Sequence, residues 1–314
     1  MTEIHNAAGV RLVHGDASQP ETVSGISDGA VRTIVTSPPY FGLRDYDEAG
    51  QIGAEETVTE YVDRLVAVFA SLRRVLADDG TLWLNLGDSY SVRWGSTRRE
   101  GRRGFNHDAE RGRSGRIAHE IPEKNLLGVP WRVALALQAD GWFLRSEVIW
   151  EKGNAIPETA ADRLSRTHEH LFLLTKQPRY YFDLDSIRKQ YEGDRAASRR
   201  ARTGANKENS VQSEWAPDDE RGRNPGTVWH VNTQPFAGAH FATYPPELIR
   251  PCIRAGSSIG DTVLDPFSGS GTTGMVARQE GRQYIGVDVN RDYLDLSLRT
   301  RFTQPVLDMW EVPV

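Results

Sequence analysis

The stretch Thr36-Ser37-Pro38-Pro39-Tyr40 gathers the Ser37 hydroxyl, the carbonyls of Pro38 and Pro39, which have no amide hydrogens, and the aromatic face of Tyr40. Two consecutive prolines cannot continue a sheet ladder, and they hold the backbone extended. The stretch follows the apolar, β-branched run Val31 to Val35, so it belongs where a buried strand opens into a loop. The result is a rigid corner able to grip a planar base that carries an exocyclic amino group.

A second constellation lies far downstream, from Thr262 through Asp265-Pro266-Phe267-Ser268-Gly269-Ser270-Gly271 to Gly274. A short apolar strand enters a loop with glycines spaced G-x-G-x-x-G, and a helix is expected from Thr272. Glycines there permit a tight turn and close backbone approach to a cofactor. A further strand, Tyr284 to Val287, ends in Asp288, at the distance expected of a carboxylate that grips ribose hydroxyls. The spacing suits NAD(P) and an adenosine-bearing methyl donor alike. It does not suit a phosphate loop, because no Gly-Lys-Ser/Thr follows. Only 26 residues come after Asp288, so the other strands of the sheet must come from the N-terminal half. This is a permuted nucleotide-binding order, with the cofactor loop late and the Ser-Pro-Pro-Tyr corner early.

With these motifs the chain resembles the permuted (beta-class) DNA amino-methyltransferases, most closely the cytosine-N4 type. The resemblance also takes in Asp79 to Asp88, Val129-Pro130-Trp131-Arg132 to Trp150, Arg166 to Leu173 and Phe241 to Ile249. It implies a doubly wound, mostly parallel α/β sheet of seven strands, a circularly permuted Rossmann-like fold with inserted DNA-recognition loops. It implies S-adenosylmethionine as cofactor and double-stranded DNA as partner, with a companion restriction endonuclease in some settings and a monomeric or dimeric state. Catalysis would fall to Ser37, Pro38, Pro39 and Tyr40. Ser37 Oγ and the Pro38 carbonyl would accept from the amino hydrogens, and Tyr40 would stack on a flipped base. Asp265, Phe267, Gly269 and Gly271 would border the cofactor, Asp288 its ribose, Asp16 its adenine and Thr243 its methionine end. In this family a serine in the corner accompanies cytosine N4 more often, and an aspartate adenine N6. Adenine N6 is the alternative, and an RNA or small-molecule acceptor a more distant one.

Composition sets outer bounds. A chain of 314 residues suits one large α/β domain with insertions. No apolar run is long enough to span a membrane, and a single cysteine suits the cytoplasm. The net charge of −5 does not advertise nucleic-acid binding, but the charge is uneven. Arg93 to Lys124 carries nine Lys/Arg against five Asp/Glu, a local surface able to meet phosphate.

The elements that must position these residues follow from periodicity. Strands are expected over Val10 to Asp16, which ends in Gly-Asp, around Ile34, at Thr81 to Leu86, Phe143 to Trp150 and His170 to Leu174, besides the two already placed. Thr57 to Leu76 reads as an amphipathic helix, with Tyr61, Leu65, Val68, Phe69, Leu72 and Leu76 on one face. Asp79-Gly80 reads as a turn. Further helices are expected from Pro130 to Gly141, after Pro245-Pro246 with a disturbance at Pro251, and near Tyr293 to Leu298. Residues 1–185 then form a catalytic half with a basic loop at 93–120. Residues 186–230 form a target-recognition insertion, and 231–314 a cofactor half of the same domain. Cys252 is expected to be a buried apolar position rather than a nucleophile. His168-Glu169-His170 lacks the spacing of a metal site and is expected to serve as structure or active-site wall. No metal is expected.

Overall fold

A computed structural model describes residues 2–42, 51–91, 121–155, 157–190, 222–234 and 244–302. In chain order the strands are β1 (Thr2–Ala7), β2 (Val10–His14), β3 (Val31–Thr36), β4 (Leu76–Leu86), β5 (Phe143–Glu151), β6 (His168–Thr175), β7 (Val228–His230), β8 (Thr262–Asp265) and β9 (Gln283–Asp288). The helices are α1 (Val58–Leu72), α2 (Val129–Ala139), α3 (Pro246–Gly256), α4 (Thr272–Gln279) and α5 (Arg291–Ser297).

The described strands form one sheet in the order β1-β2-β9-β8-β3-β4-β6-β5-β7. From β2 to β4 every neighbour is parallel, whereas β6 runs antiparallel to both β4 and β5. The expected seven strands are the inner seven. Two edge strands were not expected: β1 pairs antiparallel with β2, and β7 pairs parallel with β5. The permuted order is visible in the pairing, because N-terminal β2 lies against C-terminal β9 and β3 against β8.

Helices cover both faces. On one, α1 and α2 bury Tyr61, Leu65, Phe69, Leu72, Val133 and Leu137 against Ile34, Leu82 and Leu84. On the other, α3 and α4 bury Leu248, Ile249, Cys252, Ile253 and Val276 against Val35, Trp83, Leu171 and Leu173. Each fully buried side chain of this size contributes roughly 1.5–3 kcal/mol. Helix α1 starts at a reciprocal cap: Thr57 Oγ1 accepts from Glu60 N, and Glu60 Oε2 accepts from Thr57 N. It stops at Leu72, four residues short of the expected end. Leu76 already belongs to β4, and Asp79-Gly80 is an irregularity inside that strand rather than a turn before it. Val31 pairs with Leu76 and Thr33 with Thr81, so the residues between bulge out. Gly80 sits where a Cβ would lie 2.8 Å from Arg32 O, and Asp79 pairs with Arg32. Pro251 lies inside α3 without ending it.

The parallel strands place Thr36, Asn85, Asp265, Asp288 and the Gly15-Asp16 turn after β2 along one edge. Because β6 is reversed, its N-terminal residues His168 to His170 arrive at that edge too. Among the described residues no helix is long and apolar enough to cross a membrane.

Candidate active site

The corner after β3 is braced from beneath. Thr36 and Pro38 are buried, and Ser37, Pro39 and Tyr40 half-buried. Tyr61 Oη of α1 donates to the Pro39 carbonyl at 2.9 Å, and Phe41 packs on the Tyr61 ring at 5.6 Å. Gly87, just past β4, lies flush with Tyr40: a Cβ there would come within 2.5 Å of the Tyr40 ring. The Tyr40 hydroxyl donates to Glu169 Oε2 at 2.6 Å, and Asn85 Nδ2 reaches both the Tyr40 oxygen at 2.7 Å and Glu169 at 2.9 Å. Ser37 Oγ lies 3.3 Å from the Tyr40 oxygen. Burial, with the neighbouring Glu169 charge behind it, holds the Tyr40 phenol well above its ordinary value. It therefore stays protonated at working pH and acts as donor to Glu169.

The glycine loop is built as its spacing requires. Gly269 and Gly271 take φ of +50° and +76°, left-handed values that favour glycine. Among the described residues a Cβ on Gly269 would meet only the Phe267 carbonyl, at 4.0 Å, so they leave that side of the loop open. A Cβ on Gly274 would lie 2.4 Å from the Tyr284 ring, so the third glycine serves close helix-on-strand packing. Asp288 Oδ2 accepts from Gly269 N at 2.7 Å, and its Oδ1 from Asn290 N at 2.8 Å. The open loop and the carboxylate beside it suit a nucleoside whose ribose approaches Asp288.

Asp265 joins the end of β3 to the glycine loop. It is 2% exposed. Its Oδ1 accepts from Thr36 Oγ1 at 2.6 Å and Phe267 N at 3.1 Å; its Oδ2 accepts from Thr273 Oγ1 at 2.6 Å and Tyr244 Oη at 3.2 Å. Burial raises its carboxyl above the ordinary range, and those four donors pull the other way. Asp16 lies at the same edge, where its Oδ1 accepts from Ser18 N at 2.8 Å and so closes its own turn. Thr243 lies outside the described residues, as do the basic loop 93–120 and residues 191–221 of the insertion.

Sequence reasoning did not single out Asn85, Gly87 or Lys152, and gave Glu169 only a structural or wall role. Lys152 Nζ pairs with Glu169 Oε1 and lies 4.6 Å from the Trp150 ring centre. Asp88 turns out to be a cap, accepting from Gly128 N and Val129 N at the start of α2. Among the described residues no three His, Cys, Asp or Glu side chains are grouped to hold a metal. Cys252 is fully buried, and burial pushes its thiol far above the ordinary range.

A sheet with a permuted order that brings the Ser37-Pro38-Pro39-Tyr40 corner and the glycine loop to one edge defines a class, and comparison with known proteins names it. The DNA methylase profile of the N6/N4 type matches residues 31–299, and the chain belongs to that family. It is 45% identical to the Type II methyltransferase M.Cfr9I of Citrobacter freundii, over 92% of this chain and 87% of that one. Among solved structures it superposes on the cytosine-N4-specific PvuII DNA methyltransferase with a TM-score of 0.64 at 19% identity, covering 96% and 89% of the two chains. A provisionally assigned DNA modification methylase of Thermus thermophilus, solved with S-adenosyl-L-methionine, gives 0.56 at 21% identity, covering 92% of each. The family match begins at Val31, so β2 and Asp16 precede it.

Proposed function

We propose that this DNA methyltransferase transfers the methyl group of S-adenosylmethionine to the N4 amino group of a cytosine flipped from duplex DNA, acting at a specific site as a Type II enzyme. The observation that carries the reading is the corner itself: Ser37, rather than an acid, stands beside Tyr40 at the end of β3, joined by Thr36 and Asp265 to the glycine loop. The cytosine-N4 specificity named for the PvuII enzyme, which shares this fold, agrees with it.

When bound, the cofactor supplies a methyl group already activated for displacement. The chain's task is then to hold the amine in line and to turn its lone pair out of the ring. Ser37 Oγ and the Pro38 carbonyl accept from the two amino hydrogens, which favours a more tetrahedral nitrogen. Tyr40 offers the base a face, worth roughly 1–3 kcal/mol. Asp265, Phe267, Gly269 and Gly271 border the cofactor, Asp288 faces its ribose, Asp16 lies toward its adenine and Thr243 toward its methionine end. The segments 93–120 and 186–230 contact DNA, the second choosing the target sequence.

Incubating unmethylated duplex DNA with isotopically labelled S-adenosylmethionine, then digesting to nucleosides for mass spectrometry, tests the reading. Label on N4-methylcytosine is the expected result. Label on N6-methyladenine would overturn the choice of base, and label on no nucleoside would overturn DNA as the acceptor.

A further inference from the structure

Glu169 faces the corner from β6, with a side chain 14% exposed and paired to Lys152. A carboxylate in such a pair has no proton to give. It therefore fixes the direction of each hydrogen bond around it. The Tyr40 hydroxyl must give its single proton to Glu169 Oε2, 2.6 Å away, so the Tyr40 oxygen is left as an acceptor. Asn85 must turn its amide nitrogen toward the same oxygens, at 2.9 Å from Glu169 and 2.7 Å from Tyr40. It does so although its Oδ1 is then buried with no hydrogen-bond partner among the described residues. The reverse orientation would set that oxygen against the carboxylate. With the Tyr40 oxygen accepting, Ser37 Oγ gives its proton to Tyr40 at 3.3 Å and accepts from Asn85 Nδ2 at 3.4 Å, which leaves one of its two lone pairs. A serine oxygen whose proton is so occupied presents a lone pair to whatever enters the corner.

We infer that Glu169 is a positioning residue for methyl transfer: acting through Tyr40, it holds the Ser37 hydroxyl as an acceptor toward the incoming amine. This rests on the role proposed for Ser37. Were Glu169 an amide, its one oxygen could satisfy Lys152 or Tyr40, but not both. With the oxygen turned to Lys152, the amide hydrogens face Tyr40. The phenol proton then swings to Ser37 Oγ, and the serine proton points at the amine. Removing Lys152 as well frees the glutamine oxygen to turn back to Tyr40.

The test is steady-state methyl transfer into duplex DNA by Glu169→Gln, Glu169→Gln with Lys152→Met, and Ser37→Ala, with S-adenosylhomocysteine and DNA affinities measured on each. Glu169→Gln is expected to lose at least about tenfold in kcat, with both affinities within about twofold of the parent. The double variant is expected to recover most of that loss, which removal of a merely structural ion pair would not do. Near-parental turnover of Glu169→Gln, or a double variant no faster than the single, overturns the inference. Should Glu169→Gln fail to bind cofactor, Tyr40→Phe carries the test: an equal fall in kcat is expected, and unchanged kcat overturns it. A fully active Ser37→Ala would overturn the Ser37 role itself. An inactive Ser37→Ala beside an active Glu169→Gln would overturn only the part given to Glu169.

Discussion

Thr36 Oγ1 donates to Asp265 Oδ1 at 2.6 Å, a bond that joins two residues 229 apart in the chain. It ties the residue before the Ser37 corner to the residue before the glycine loop. β3 and β8 are adjacent and parallel, so both residues end their strands at the same edge. The Ser37 corner and the glycine loop are thus held in one register by the sheet and joined by a buried hydrogen bond.

Thr36→Val keeps the shape of the side chain but removes that donor. Phe267 N still serves that oxygen, so the cost is that of one net hydrogen bond, about 0.5–1.5 kcal/mol. Denaturant unfolding should show a loss of that size, and methyl transfer should slow because the Ser37 corner and the glycine loop lose this link. Unchanged stability and rate would show that the remaining donors to Asp265 suffice.

Asp265→Asn tests the electrostatics of the same hub. Burial raises the Asp265 carboxyl in the folded chain. For a group raised on folding, the stability it contributes is complete below its unfolded pKa, about 4, and is lost as pH rises through the folded value. Asparagine does not titrate. The melting temperature of the variant should therefore gain on the parent as pH rises from about 4 toward neutrality. A constant gap, or one that moves the other way, would contradict the raised carboxyl.

Asp288→Ala removes the carboxylate proposed to face the ribose and, with it, the acceptor for Gly269 N. Titration calorimetry should show S-adenosylhomocysteine affinity falling at least about tenfold, the equivalent of one charge-assisted hydrogen bond. Undiminished affinity would take Asp288 out of the cofactor site.

Gly87→Ala places a methyl where the Tyr40 ring lies, 2.5 Å from its Cε2. The ring must move, so kcat should fall while cofactor affinity holds. Parental turnover would show that the position of Tyr40 is not critical.

Cys252→Ala should leave methyl transfer unchanged, because the thiol is buried among Leu248, Ile249 and Ile253 with its proton firmly held. Loss of transfer with the fold intact would point to cysteine chemistry on the base instead.

The parts of this site that were legible in the sequence are those that the backbone itself demands. Gly269 and Gly271 need positive φ, Gly274 needs closeness to Tyr284, and the Pro38-Pro39 pair must end a strand; each leaves its residue type at a fixed spacing. Glu169, Asn85 and Lys152 left no such mark. They come together only because β6 runs backwards between β4 and β5, a fact of tertiary pairing. The edge strands were missed for a different reason. β1 is short, polar and little buried, so it lacks alternation, and β7 is three residues around the buried Trp229. Leu76 continued the apolar stripe of α1 by period alone, yet its pairing with Val31 places it in β4.

The measurement closest to the central claim is single-turnover methyl transfer by Ser37→Ala at saturating S-adenosylmethionine, with cofactor affinity determined on the same preparation. Losing one preorganised polar group at a reacting atom should slow transfer roughly 10²-fold, with affinity unchanged within about twofold. A rate close to the parent's would contradict Ser37 as the acceptor that turns out the amine's lone pair.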